Sequence, residues 1–255
     1  VETDQCLVAH PLIEVLIADG RYPGAGEILL RAGVASGERL VRVERPEAAH
    51  AVTVPDGVAV VAPGQPAAVH EVVAGHRFRV SADSFFQPGP VVAEALAAAV
   101  LDAAGDALPA GGGGHLVDAY AGVGLFAAVG GAARRARVTA IENHRSAAAD
   151  ARLNLAGLHA RVLATDVGRW RARRGDHVDV VVADPSRTGL GKPGVAALAA
   201  AGAPRLVLVS CDPASFARDT RLLAGAGYRL ATVRLVDAFP HTFHVETVSR
   251  FDLDH

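Results

Sequence analysis

Two rhythms of apolar and polar positions divide the chain, with the change close to residue 81. Before it, "EILLRAGV", "ERLVRVER", "VAVVAP" and "VHEVVAGHRFRVSA" read as short strands, the last folded as a hairpin about Ala74 and Gly75. A short helix opens at "HPLIEVL", where Pro11 suits a first helical position. An alanine-rich helix over about residues 89–105 and a flexible "GGGG" at 111–114 follow the change. From residue 115, apolar strands alternate with helices. "HLVDAYAGVG", "RVTAIE", "ARVLATD", "HVDVVVADPSR" and "PRLVLVSCD" read as strands, with helices over "LFAAVGGAAR", "NHRSAAADARLNLAGL" and "PASFARDTRLLAGAG". The strands "YRLATVRLVD" and "HVETVSRFDL" close the chain as a hairpin-like antiparallel pair at a sheet edge. This alternation predicts right-handed βαβ units in a mostly parallel sheet, with ligands at the carboxyl ends of its strands. The expected organisation is a small α+β domain over 1–81 and a nucleotide-type α/β domain over 82–255.

Composition narrows this picture without redirecting it. The 255 residues are 51% hydrophobic and 20% charged, enough apolar material to exclude disorder. The formal net charge of −2 neither favours nor excludes a polyanionic partner. The two cysteines, Cys6 and Cys211, are no disulfide framework. No apolar run approaches the ~18 residues that span a bilayer. The acidic opening "VETDQC" lacks the pattern of a signal peptide, so a cytoplasmic protein is expected. A chain that starts at Val1 and contains no methionine also reads as a fragment or a processed form.

Candidate chemistry begins at "DAYAGVG" (118–124), a strand running into a glycine turn. Gly122 and Gly124 let the backbone turn tightly and approach a ligand, but the third glycine of the dinucleotide fingerprint is missing. Glu142 ends the second strand, where a carboxylate can bind ribose hydroxyls. Asp166 ends the third, placed for an adenine amino group. Acids at three successive strand ends suit S-adenosylmethionine (SAM), whose sulfonium and ammonium are cationic. For each acid taken singly, helix capping stands as the alternative.

Asp184, in "ADPSR", ends the fourth strand where the central crevice should open. Cys211 ends the fifth, followed by Asp212 as a helix cap and Pro213 in the first turn. A helix amino end is expected to lower the thiol pKa and prepare Cys211 for nucleophilic attack. Packing as a small buried hydrophobe is the competing reading.

Four segments together resemble the RNA uracil-5-methyltransferase family: "SFFQ" (84–87), "DAYAGVGLF" (118–126), "DPSRTG" (184–189) with "VSCDPASFARD" (209–219), and "DAFPHTFHVETV" (237–248). The resemblance covers nearly all of the chain from residue 81, and a weaker match reaches "QCLVAHP". It implies a class I SAM-methyltransferase (Rossmann-like) fold behind a small domain facing RNA. It also implies SAM contacts from Gln87, Tyr120, Glu142 and Asp184, a nucleophilic Cys211 and Glu246 as base. The implied reaction is methylation at C5 of a uridine in tRNA or rRNA through a cysteine adduct at C6. Phe85, Phe86 and Phe239 are candidates for holding an extruded base, and His241 and His244 for polarising it. Core packing and local hydrogen bonding are their alternatives.

The sequence departs from the family in three places. Nothing here has the pattern of the amino-terminal oligonucleotide-binding barrel that many members carry. Cys6 resembles the last ligand of an iron–sulfur cluster found in some members, but the other three ligands are absent, so no cluster or other metal is expected. Leu125 stands where some relatives have a cofactor-binding Asn, and a leucine supplies no such bond. For RNA, "RWRARR" (169–174) and the group Arg134, Arg135 and Arg137 are candidate contacts, with a solvated face as the alternative. Two other readings stay open: a methyltransferase of amino groups, which needs no cysteine, and an inert RNA-binding protein. The oligomeric state is not legible.

Overall fold

The computed structural model describes residues 5–239, 242 and 245–254. The chain divides into two compact units, Val1–Phe85 and Phe86–His255.

In the first unit, helix α1 (Pro11–Asp19) starts at its proline, and the His10 ring accepts a hydrogen bond from the Leu12 N–H at 3.2 Å. Leu16 drives its apolar side into a core with Val41 and Val43. Strands β1 (Ile28–Ala32), β2 (Arg39–Val43) and β3 (Val58–Val61) form one sheet in that order. The first two are antiparallel; β2 and β3 are parallel, so a crossover containing a 3-10 turn at Pro46–Ala51 joins them. Strands β4 (Ala68–Val73) and β5 (His76–Ser81) make the expected hairpin. Its two central residues, Ala74 (φ 50°) and Gly75 (φ 77°), both have the positive φ that a tight primed turn demands.

The second unit is the α/β layer structure that the strand–helix alternation predicts. Helix α2 (Pro90–Ala104) precedes β6 (His115–Ala119), α3 (Leu125–Arg134), β7 (Arg137–Ile141), α4 (Arg145–Asn154) and β8 (Ala160–Leu163). Then come β9 (Val180–Ala183), α5 (Gly191–Ala199), β10 (Arg205–Ser210), α6 (Pro213–Gly225), β11 (Tyr228–Val236) and β12 (Glu246–Leu253). The seven-stranded sheet runs β11-β12-β10-β9-β6-β7-β8. Strands β6, β9 and β10 are buried along their whole length, as parallel strands covered on both faces must be. The strand order reverses between β6 and β9, which opens a crevice at their carboxyl ends. Strands β11 and β12 form the antiparallel pair, with β12 inserted beside β10 and β11 outermost.

Three local features differ from the sequence reading. Helix α5 was not legible, because Gly191, Pro193 and Gly194 crowd its start. Gly194 is needed there: a Cβ would lie 2.8 Å from the Tyr120 hydroxyl. The third strand stops at Leu163, and Asp166 caps a 3-10 turn (Val167–Arg169) instead of ending the strand. Trp170 is buried in the main core, which removes it as an aromatic partner for RNA. Among the described residues, no helix is long and apolar enough to cross a membrane.

Candidate active site

The crevice is floored by the turn after β6. Asp118, fully buried in that strand, accepts a hydrogen bond from the Ala127 N–H at 2.7 Å and so holds the first turn of α3. Its other oxygen, Oδ1, is buried and has no partner among the described residues. Tyr120 and Gly122 both have left-handed backbones, φ 62° and 54°. A Cβ on Gly122 would meet nothing within 4 Å, so the turn faces open space. Glu142, just past β7, accepts from the Gly122 N–H at 2.8 Å and the His144 N–H at 2.7 Å. The carboxylate thus pins the glycine turn and keeps a lone pair on each oxygen for a ligand.

Burial pushes the Asp118 carboxyl up to about 7, helped by the negative charge of Glu142. The unfolded chain loses this proton near 3.8, whereas the folded chain keeps it until about 7. Folded protein therefore binds more protons between those values, and stability falls as pH rises through that window. We expect Asp118→Asn to remove that fall, so that the variant loses no stability through this window in the ligand-free protein. Urea unfolding at pH 5 and pH 8 measures this; an equal pH dependence in both proteins would contradict it.

At the end of β9, the Asp184 N–H donates to the Ala119 carbonyl, and its carboxylate Oδ2 accepts from Gln87 Nε2 at 3.1 Å. Burial, then the charges of Glu246 and Asp118, hold this carboxyl well above the usual range against the Gln87 hydrogen bond. Gln87, Asp118, Glu142 and Asp184 therefore gather around one crevice. Tyr120 is half-buried, and burial followed by the charges of Asp166 and Asp219 pushes its hydroxyl up to about 12. Asp166 itself is exposed and accepts from the Gly168 N–H at 2.9 Å. Its capping role is thus realised, alongside its electrostatic reach to Tyr120.

Cys211 is half-buried, one residue beyond β10, where Asp212 caps α6 by accepting from the Ser215 N–H at 2.7 Å. The expected lowering of the thiol pKa is not found. Burial raises it, and the Glu246 and Asp184 charges add to the rise, outweighing the opposing charge of Arg187. Opposite lies Glu246, the first residue of β12. Ser210 pairs with Thr247, whose hydroxyl donates to the Ser210 carbonyl at 3.1 Å, so the next register position sets Glu246 across from Cys211. Glu246 is buried, its Oε2 has no partner among the described residues, and burial raises its pKa. His241 and His244 lie outside the described residues.

One supporting residue escaped the sequence reading. Asp219 of α6, almost fully buried, accepts from the Leu190 N–H (2.6 Å) and the Gly191 N–H (3.1 Å), while Arg218 braces it at 2.8 Å. It fixes the turn that carries Asp184 and Arg187 into α5. Gly189, at φ 70°, leaves the room that this carboxylate occupies. The available signal was Asp219 standing four positions after Ser215, a buried face of α6 that is polar where core residues are expected. Asp219→Ala leaves two backbone donors without partners, an expected loss of about 2–5 kcal/mol in urea unfolding. Cys6 is a free, half-buried thiol, and among the described residues no group of three or more His, Cys, Asp and Glu could hold a metal.

No protein-family model matches the chain. It is 35% identical to an uncharacterized RNA methyltransferase of Streptomyces coelicolor, over 96% of this chain and 57% of that protein. It is 34% identical to another from Streptomyces avermitilis, over 96% of this chain and 60% of the relative. The chain thus spans about three-fifths of the length of these relatives. Its structure is similar to that of the Pyrococcus abyssi tRNA (uracil-54, C5)-methyltransferase in complex with S-adenosyl-L-homocysteine, with a TM-score of 0.70 and 24% identity, covering 88% of this chain and 59% of that one. The chain is therefore a homologue of proteins named RNA methyltransferases, and it has the class I methyltransferase fold.

Proposed function

We propose that this chain carries the methyl-transfer centre of a SAM-dependent RNA methyltransferase acting at C5 of a uridine in tRNA or rRNA. The observation that carries the reading is the strand register, one position past the Ser210–Thr247 pair, that sets the half-buried Cys211 opposite buried Glu246, whose Oε2 has no partner among the described residues. Transfer to an exocyclic amine needs neither group.

The crevice suits SAM by its polar groups: a buried Asp118 oxygen without a partner among the described residues, open space over Gly122, and the carboxylates of Glu142 and Asp184. Glu142 would take the ribose hydroxyls, Asp166 the adenine amino group, and Gln87, Tyr120 and Asp184 the remaining edge of the cofactor. Bound SAM supplies an electrophilic methyl group on a sulfonium. Positive charge in this crevice favours ionised Asp118 and Asp184 and the Cys211 thiolate, opposing the burial that raises all three.

Uracil C5 is a weak nucleophile, and Cys211 corrects this. Its thiolate adds to C6, placing electron density at C5, which then accepts the methyl group. Glu246 removes the C5 proton, and the electron pair of that C–H bond expels the thiolate from C6. The uracil ring is restored and the enzyme returns to its starting state. In paired RNA the base must leave its stack before C5 and C6 can reach Cys211.

The test uses SAM with RNA containing 5-fluorouridine. Fluorine at C5 cannot leave as a proton, so a covalent complex should survive a denaturing gel, with mass spectrometry placing it on Cys211. SAM binding with no adduct, from this chain and from a longer one alike, would sink the thiolate mechanism.

A further inference from the structure

The amino end of the seven-stranded sheet, opposite the catalytic end, holds a cationic surface that the chemistry above does not use. Segments 131–137, 156–161 and 171–179 lead into β7, β8 and β9 and together carry seven arginines against two aspartates. The whole chain, by contrast, carries 25 basic against 27 acidic residues, so positive charge is concentrated here. Both aspartates are already engaged. Asp176 pairs with Arg137 at 3.0 Å; Asp179 contacts His177 at 3.0 Å and accepts from the His115 N–H at 2.7 Å.

These bonds tie the segment before β9 to the starts of β6 and β7. They bring Arg173 and Arg174, just before Asp176, alongside Arg134 and Arg135, just before Arg137. Arg135, Arg161, Arg173 and Arg174 are exposed, and their guanidinium groups have no hydrogen-bond or ion-pair partner among the described residues. Each is a planar fork of donors suited to phosphate oxygens. Trp170 beside them is buried, so the surface offers charge without a stacking platform.

We infer that this surface binds the phosphate backbone of the RNA substrate, sequence-independently and apart from the target nucleotide. The inference rests on the RNA-methylating reading. The five-residue strand β6 separates the two ends by roughly 16 Å. A stem of about five base pairs, rising about 3.4 Å per pair, covers that distance; the single nucleotide held in the crevice does not. The surface therefore contributes to RNA affinity and leaves the chemical step alone.

The experiment compares the unaltered chain with the triple variant Arg135→Gln, Arg173→Gln, Arg174→Gln, and with the corresponding triple Lys variant. Fluorescence anisotropy follows binding of a labelled RNA stem-loop and of its isolated loop across salt concentrations. Each lost phosphate contact should lower the slope of log affinity against log salt by about 0.7–0.9, hence by about 2–3 for the Gln triple. The Lys triple should restore most of that slope. Methyl transfer should show a raised KM for the stem-loop, an unchanged kcat and unchanged values for the loop. Equal slopes and affinities for the unaltered chain and the Gln triple would overturn the inference. RNA binding that depends on the arginines, without any uridine methylation, would sustain the surface and refute the C5 reading instead.

Discussion

Replacing Cys211 with alanine is expected to lower methyl transfer to uridine by roughly four orders of magnitude or more, as when a covalent nucleophile is removed. The size follows from the substrate: without addition at C6, C5 has no electron density to offer, and no other described side chain at the crevice is a comparable nucleophile. SAM affinity should change little, because the thiol is not among the groups assigned to the cofactor. Single-turnover transfer of labelled methyl groups and calorimetric titration of SAM separate the two effects. A variant that binds SAM and retains its rate would assign the site to amine methylation. The raised thiol pKa sets the direction of the pH profile: kcat/KM rises with pH through the ionisation of Cys211.

The second large effect is expected from Glu246→Gln, which keeps the size and loses the base. Addition at C6 and methyl transfer need no proton acceptor at C5, so a methylated adduct on Cys211 should form with ordinary uridine RNA and persist. Turnover should fall by about 10²–10⁴-fold, the usual contribution of general base catalysis. A denaturing gel after mixing with SAM and unmodified RNA reads this directly. A variant that turns over freely would assign proton removal to another group.

Much of the fold was legible because the pattern is strong. Runs such as "VVVA" and "RLVLVS", buried throughout, have few other uses than as central parallel strands. The glycine turn and the acids after β7 and β9 could be placed by the same logic, since strand ends of such a sheet point at the crevice. What resisted reading depended on neighbours distant in sequence. Helix α5 breaks propensity at Gly194 because Tyr120 packs against it, a contact across more than seventy residues, and at Gly191 because its backbone has φ 60°. Trp170 looked like a partner for RNA beside its arginines, yet β-sheet packing claims the ring. The Cys211 thiol was expected to be acidified by a helix end, but the acids that raise its pKa arrive from β9 and β12. Charge at a site is a sum over elements, and a linear motif reports one of them.

The place of β12 has one more consequence. Both of its flanks are hydrogen-bonded, by β10 and by β11, whereas β11 has an open outer edge. In the language of amide exchange, β11 is the strand that opens first and β12 belongs with the slowly exchanging centre. The apolar residues Leu230, Val233 and Leu235 lie on that outer strand and are exposed. Glu246, however, is itself paired with Val236 of β11, so breathing at this border reaches the acid through its own partner strand. The proposed acid–thiol pair is thereby coupled to the least cooperative part of the sheet, while the rest of β12 is held by β10.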